Sequence, residues 1–189
     1  RWTNPTVRAL EERLAGLEVA EDALATATGL AAAAAVFLTF LKAGDHLIVS
    51  EVCYAGVYEL ATRILPDLGI HVTPCDLTDP TAVRAALRPT TRLIHAETPC
   101  NPNLRLTDLA ALSAIAREAG VLLSVDSTLA TPVITRPLDH GVDLVIHSLT
   151  KFMNGHGDAL GGAVIGRKDL VSRLRSRAGV YLGATLSAQ

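Results

Sequence analysis

Aromatic residues are scarce, with one Trp, three Tyr and three Phe in 189 residues. Lysine is scarcer relative to its kind: Lys42, Lys151 and Lys168 are the only lysines among 17 basic side chains. Charge of neither sign dominates. The net charge of −2 excludes a strongly basic nucleic-acid binder. No Cys-x-x-Cys pair occurs, and Cys53, Cys75 and Cys100 make a poor disulfide framework. They read as reduced thiols, so we expect a cytoplasmic protein. The most apolar stretch, Leu30 to Leu41, falls short of the roughly 20 residues of a membrane span. No basic-then-apolar signal peptide opens the sequence, and no membrane partner is expected. A hydrophobic share of 49% is too high for disorder. His71, His95 and His140 lack metal-ligand spacing, and no metal is expected. His46 reads as a solvated loop residue. The chain opens at Arg1 rather than Met and stops soon after a turn-like Gly183-Ala184-Thr185, which suggests a fragment.

What is present is an alternation of helices and strands. Asn4 reads as an N-cap with Pro5 at the first helical position. Thr28-Gly29 opens an Ala-rich helix running to Leu41. Strands are expected at 47–50, 70–74, 91–97, 121–126, 144–148 and 162–165. Helices are expected at 56–65, from Asp79–Pro80 to Leu87, from a Thr107 cap to Gly120, and after Arg167. Such alternation implies an α/β fold with a mostly parallel sheet covered on both faces. The alternating Arg173, Arg175 and Arg177 read as solvated or as a subunit contact.

In open α/β sheets, ligands bind beyond the carboxyl ends of the strands. Three consecutive strands run into Thr98-Pro99-Cys100-Asn101-Pro102, Asp126-Ser127-Thr128 and Ser148-Leu149-Thr150-Lys151. Lys151 alone among the lysines comes off an apolar strand. In a cleft it would lose its proton and attack an aldehyde; taken alone, it also reads as a surface lysine. Thr28-Gly29-Leu30 offers free N–H groups and a helix dipole to a phosphate, or is an ordinary cap. Tyr54 follows a strand, where it either stacks on a planar ring or fills the core. One ligand uses every part: pyridoxal 5′-phosphate (PLP), with Asp126 keeping its pyridine nitrogen protonated. A nucleotide-binding dehydrogenase would need a Gly-x-Gly-x-x-Gly turn after the first strand, which Gly44-Asp45 does not provide.

The stretches Arg1-Trp2-Thr3-Asn4-Pro5-Thr6, Ala27-Thr28-Gly29-Leu30, Cys53-Tyr54-Ala55-Gly56, Glu97-Thr98-Pro99-Cys100-Asn101-Pro102, Asp126-Ser127-Thr128 and His147-Ser148-Leu149-Thr150-Lys151-Phe152, with Gly155-His156-Gly157-Asp158, carry a specific resemblance. The sequence resembles the Cys/Met-metabolism PLP enzymes, such as cystathionine γ-synthase, cystathionine γ-lyase and methionine γ-lyase. The resemblance implies a three-layer, mostly parallel sheet of about seven strands, the large domain of a fold-type-I PLP-dependent transferase. Residues 1–189 would be that PLP-binding domain, without the family's N-terminal segment and C-terminal domain.

The resemblance also implies roles. Lys151 bonds to the cofactor's aldehyde and then moves protons. Tyr54 stacks on the ring and helps protonate a leaving group. Asp126 pairs with the ring nitrogen, and Asn101 bonds the 3′ oxygen. Gly29 and Leu30 amides with Ser148 and Thr150 hydroxyls hold the phosphate, with Thr128 also at the cofactor. Arg1 reaches the phosphate of a neighbouring subunit in a homodimer or homotetramer. The substrate would be a small amino acid, with neither nucleic acid nor membrane as partner.

Departures are also legible. Thr28-Gly29-Leu30 stands where the family has Ser-Gly-Met, and Ser127 and Leu129 replace an Asn and an aromatic. The Tyr two residues before Arg1 is missing. Gly56 stands where methionine γ-lyases carry Cys. The expected activity is transsulfuration of cystathionine γ-synthase or γ-lyase type, by γ-replacement or γ-elimination. O-acylhomoserine sulfhydrylase and methionine γ-lyase are alternatives within the family, and a non-catalytic cofactor-binding fragment is one outside it.

Overall fold

A computed structural model describes residues 4–188. Helix α1 (Pro5–Glu18) starts as expected, with the Asn4 side chain accepting from the Thr6 and Val7 amides. It leads into β1 (Asp22–Thr26), then α2 (Gly29–Phe40) and β2 (His46–Ser50). The remaining strands are β3 (His71–Cys75), β4 (Thr91–Glu97), β5 (Leu122–Asp126), β6 (Leu144–His147) and β7 (Gly162–Gly166). They form one seven-stranded sheet in the order β1-β7-β6-β5-β4-β2-β3. β2 to β6 pair in parallel, and β7 pairs antiparallel with both β6 and β1. The sheet is therefore mostly parallel, as the helix–strand alternation implies.

Burial on both faces explains why the strands read as unbroken apolar runs. Leu47, Val49, Leu93, Leu144, Ile146 and Val164 pack on one face with Val36 and Phe37 of α2. Ile48, Ile94, Leu123, Val125, Val145 and Ile165 pack on the other, with Leu14 of α1 and with Leu112 and Ile115 of the helix Leu109–Ala119. Each such side chain contributes about 1.5–3 kcal/mol on burial. The small side chains of Ala32, Ala33 and Ala35, all fully buried, let α2 lie close against the sheet.

One strand has no expectation behind it, and three sequence-based expectations need correction. β1 escapes a propensity argument because Ala is a poor strand former; its pairing with β7 from Asp22–Gly166 to Thr26–Gly162 makes it a strand. Thr107 does not cap the long helix: Asp108 does, accepting from the Ala111 amide. Instead, the Thr107 amide donates to Thr98 Oγ1. His46 is a fully buried strand residue, with ring nitrogens 2.8 Å from Thr91 Oγ1 and 2.9 Å from Thr73 Oγ1. Burial pushes its pKa down to about 4, because a charged ring would lose its water. Arg175 is not a free surface charge but half-buried and paired. It meets the buried Glu11 at 2.9 Å and Asp22 at 3.6 Å, where Arg8 joins the cluster at 2.6 Å from Asp22. A buried carboxylate such as Glu11 needs such partners.

Candidate active site

β2, β4, β5 and β6 end at one edge of the sheet, and α2 begins there after β1. Every predicted site residue within the described region lies at this edge. Arg1 lies outside the described residues.

Helix α2 brings the first group. Thr28 caps it by accepting from the Ala31 amide at 3.0 Å. The Gly29 and Leu30 amides precede the first intrahelical donor and have no partner among the described residues. Their dipole favours an anion. Gly29 lies directly against Ser148: a β-carbon on it would sit 2.7 Å from Ser148 Cβ and 2.9 Å from its Oγ. The free amides and the Ser148 hydroxyl are thus side by side, with no room for a larger residue between them.

Strand β5 delivers Asp126, 8% exposed. Its Oδ1 accepts from the Thr128 amide at 2.9 Å. Burial raises its pKa, and the Thr128 hydrogen bonds oppose the shift. Thr128 Oγ1 accepts from the Ser148 amide at 2.8 Å, which ties the turn after β5 to the turn after β6. That turn, Leu149–Met153, breaks helical geometry at Lys151 (φ −95°, ψ −126°). The break turns Lys151 out to solvent, so it is exposed rather than enclosed in a cleft. Thr150 Oγ1 donates to the Gly161 carbonyl at 3.2 Å and accepts its amide at 3.1 Å. Its hydroxyl is therefore engaged with backbone rather than directed at a phosphate. His156 is turned onto its own loop, 3.1 Å from the Asn154 carbonyl.

Tyr54 follows β2 and is 48% exposed. Its ring lies over Gly56, where a β-carbon would come within 2.7 Å of Cε1. Asn101 follows β4 on an exposed turn. Both backbones are held by Glu97, a residue of the Glu97–Pro102 motif to which the sequence alone assigns no role. The Tyr54 amide donates to Glu97 Oε2, and the Asn101 amide to Oε1, each at 2.7 Å. A signal was available: a carboxylate closing a strand that buries Leu93, Ile94 and Ala96 has no ordinary packing role.

The donor set fits PLP. Two free amides and a hydroxyl suit its phosphate. The Asp126 carboxylate, buried at the end of β5, suits a protonated ring nitrogen. Lys151 suits its aldehyde. The Gly29–Ser148 approach is the observation that decides, because a side chain there would fill the phosphate cradle.

Fold and donor set together define the PLP-dependent class of three-layer α/β proteins. Within it, the chain belongs to the family described as Cys/Met metabolism PLP-dependent enzymes, whose sequence model matches residues 1–189. A canavanine γ-lyase of Rhizobium leguminosarum bv. trifolii is 55% identical over 179 residues, 94% of this chain and 45% of that protein. A probable cystathionine γ-synthase of Herpetosiphon aurantiacus is 46% identical over 89% of this chain and 53% of that one. The crystal structure of cystathionine γ-lyase from Lactobacillus plantarum complexed with L-serine superposes with a TM-score of 0.96. It shares 38% identity and covers 100% of this chain and 49% of that one. The chain spans about half the length of the curated relatives it matches. No helix among the described residues is long and apolar enough to cross a membrane.

Proposed function

We propose that the whole protein is a PLP-dependent enzyme that eliminates or replaces the γ-substituent of a small amino acid, as in transsulfuration of cystathionine γ-synthase or γ-lyase type. The observation that carries this reading is the convergence of Asp126, Ser148, Lys151 and the free α2 amides at one sheet edge. When bound, PLP supplies an electron sink for the pair left as the substrate Cα–H ionises. The Lys151 amine would take that proton, give it up to the cofactor-bound substrate and, neutral again, take one from Cβ. Asp126 keeps the ring nitrogen protonated. The Gly29 and Leu30 amides with Ser148 anchor the phosphate, while Thr128 holds the Ser148 amide and Thr150 ties its own turn to Gly161. Tyr54 covers the ring face and serves the leaving group as a proton donor. The Asn101 side chain donates to the 3′ oxygen.

In this reading, residues 1–189 form the PLP-binding large domain of a cytoplasmic homodimer or homotetramer, with Arg1 reaching the neighbour's phosphate. The open, solvent-facing Lys151 turn supports that assembly, since a working site must exclude water. Homoserine esters, cystathionine, homocysteine and methionine are the substrate class.

A narrower reading follows from the 55% identity to a canavanine γ-lyase. Canavanine also carries its leaving group on Cγ, so γ-elimination would serve it without new chemistry. Assay of the full-length, PLP-loaded protein with canavanine, cystathionine and an O-acylhomoserine tests both readings. Release of the γ-substituent, lost when PLP is removed, is expected from at least one. A protein that holds PLP but releases nothing from any γ-substituted amino acid would be a non-catalytic cofactor binder.

A further inference from the structure

Glu97 closes β4 directly beside Asp126, its register partner at the end of β5. It is 5% exposed. A buried carboxylate normally sits against a cation, yet no Lys, Arg or His pairs with Glu97 among the described residues. Its two oxygens instead each take one backbone amide, from Tyr54 and from Asn101. Distances of 2.7 Å are those of charge-assisted hydrogen bonds. These two residues lie on different loops, 47 positions apart, and one carboxylate fixes their separation. They are also the two residues that the proposed pocket sets over the ring and at its 3′ oxygen.

We propose that Glu97 is a positioning residue, whose carboxylate bridges the Tyr54 and Asn101 backbones and so sets how the cofactor ring is held between them. The inference rests on the proposed PLP pocket. The placement is unfavourable for stability alone. Burial and the neighbouring Asp126 push the Glu97 pKa up to about 7, against the two amides that lower it. The other titratable groups facing it are Cys53 and Cys100, whose thiols burial keeps neutral. Ionised, Glu97 accepts both amides. Protonated, one oxygen becomes a hydroxyl and the bridge loosens.

Two measurements test this. In the cofactor-free protein, the Tyr54 and Asn101 amide proton resonances are followed against pH by NMR. They are expected to move together with one midpoint near 7, and to lose that midpoint in Glu97→Gln. In the PLP-loaded protein, the pH midpoint of the visible cofactor band is compared among variants. Loosening Asn101 removes a hydrogen bond that favours the charged ring oxygen. Glu97→Gln is expected to raise the midpoint by about one pH unit, the scale of one such bond. Asn101→Ala is expected to do the same, and the double variant to match Asn101→Ala alone. Amides that titrate separately, or shifts that add, overturn the proposal, as does an unchanged band in a Glu97→Gln protein of lower melting temperature. If Glu97→Gln does not fold, the wild-type amide titration decides. A wild-type protein that gains no band overturns the PLP pocket and this inference with it. Joint titration of the amides would then leave Glu97 as a loop tie only.

Discussion

Gly162→Ala is expected to destabilise the protein by about 3 kcal/mol, the upper end of ordinary overpacking costs, and to weaken PLP retention. Gly162 opens β7, opposite Thr26 in the antiparallel pair with β1. A β-carbon there would lie 2.1 Å from the Thr28 carbonyl oxygen, 2.4 Å from its carbon and 2.6 Å from Thr26 Oγ1. Two of these obstacles are backbone and cannot rotate away. Either β7 leaves the sheet edge or Thr28 moves, and Thr28 is the cap of α2. A displaced Thr28 carries the Gly29 and Leu30 amides away from Ser148. A loss of about 3 kcal/mol corresponds to roughly 6–12 °C in melting temperature for a chain of this size. Gly157→Ala is the control, since nothing lies within 4 Å of its β-carbon position. Thermal unfolding and PLP retention after gel filtration read the two effects. A Gly162→Ala protein that melts with wild type and retains PLP contradicts the account of the α2 cradle.

Asp126→Asn is expected to lower turnover of the full-length protein about a hundredfold while leaving the fold intact. The amide keeps the shape of the side chain and can still accept the Thr128 amide. What it loses is the negative charge offered to the ring nitrogen. Hydrogen bonds involving a charged group contribute about 1.5–3 kcal/mol, and 2.7 kcal/mol is roughly a hundredfold in rate. The effect belongs on kcat, because the charge stabilises the electron-rich ring that forms only as Cα–H ionises. Steady-state kinetics beside circular dichroism separate chemistry from folding. Unchanged kcat would remove Asp126 from its proposed role.

The sequence made the positions of these groups legible because strand ends are legible. Runs such as Val121-Leu122-Leu123 stop where polar residues start, and in a parallel sheet those stops share one edge. Polar groups inside the elements were not legible. His46 looks like a loop residue because its partners Thr73 and Thr91 are 27 and 45 positions away. Arg175 looks like surface charge because Glu11 lies 164 positions earlier. β1 is hidden in an Ala-rich stretch whose strand character comes from β7, and the reversed direction of β7 leaves no mark on its composition. Glu97 was visible as a residue and not as a bridge, since its two partners are backbone amides that carry no sequence signal.

The central claim is that Lys151 holds the cofactor, and one labelling experiment tests it. The full-length protein is loaded with PLP, reduced with borohydride and digested, and the peptides are weighed. The account predicts one pyridoxyl group on the peptide containing Lys151, none on those containing Lys42 or Lys168, and no label at that peptide's position in Lys151→Ala. Label on Lys42, Lys168 or any other lysine of the full-length protein in place of Lys151, or an unlabelled wild-type protein, would contradict it.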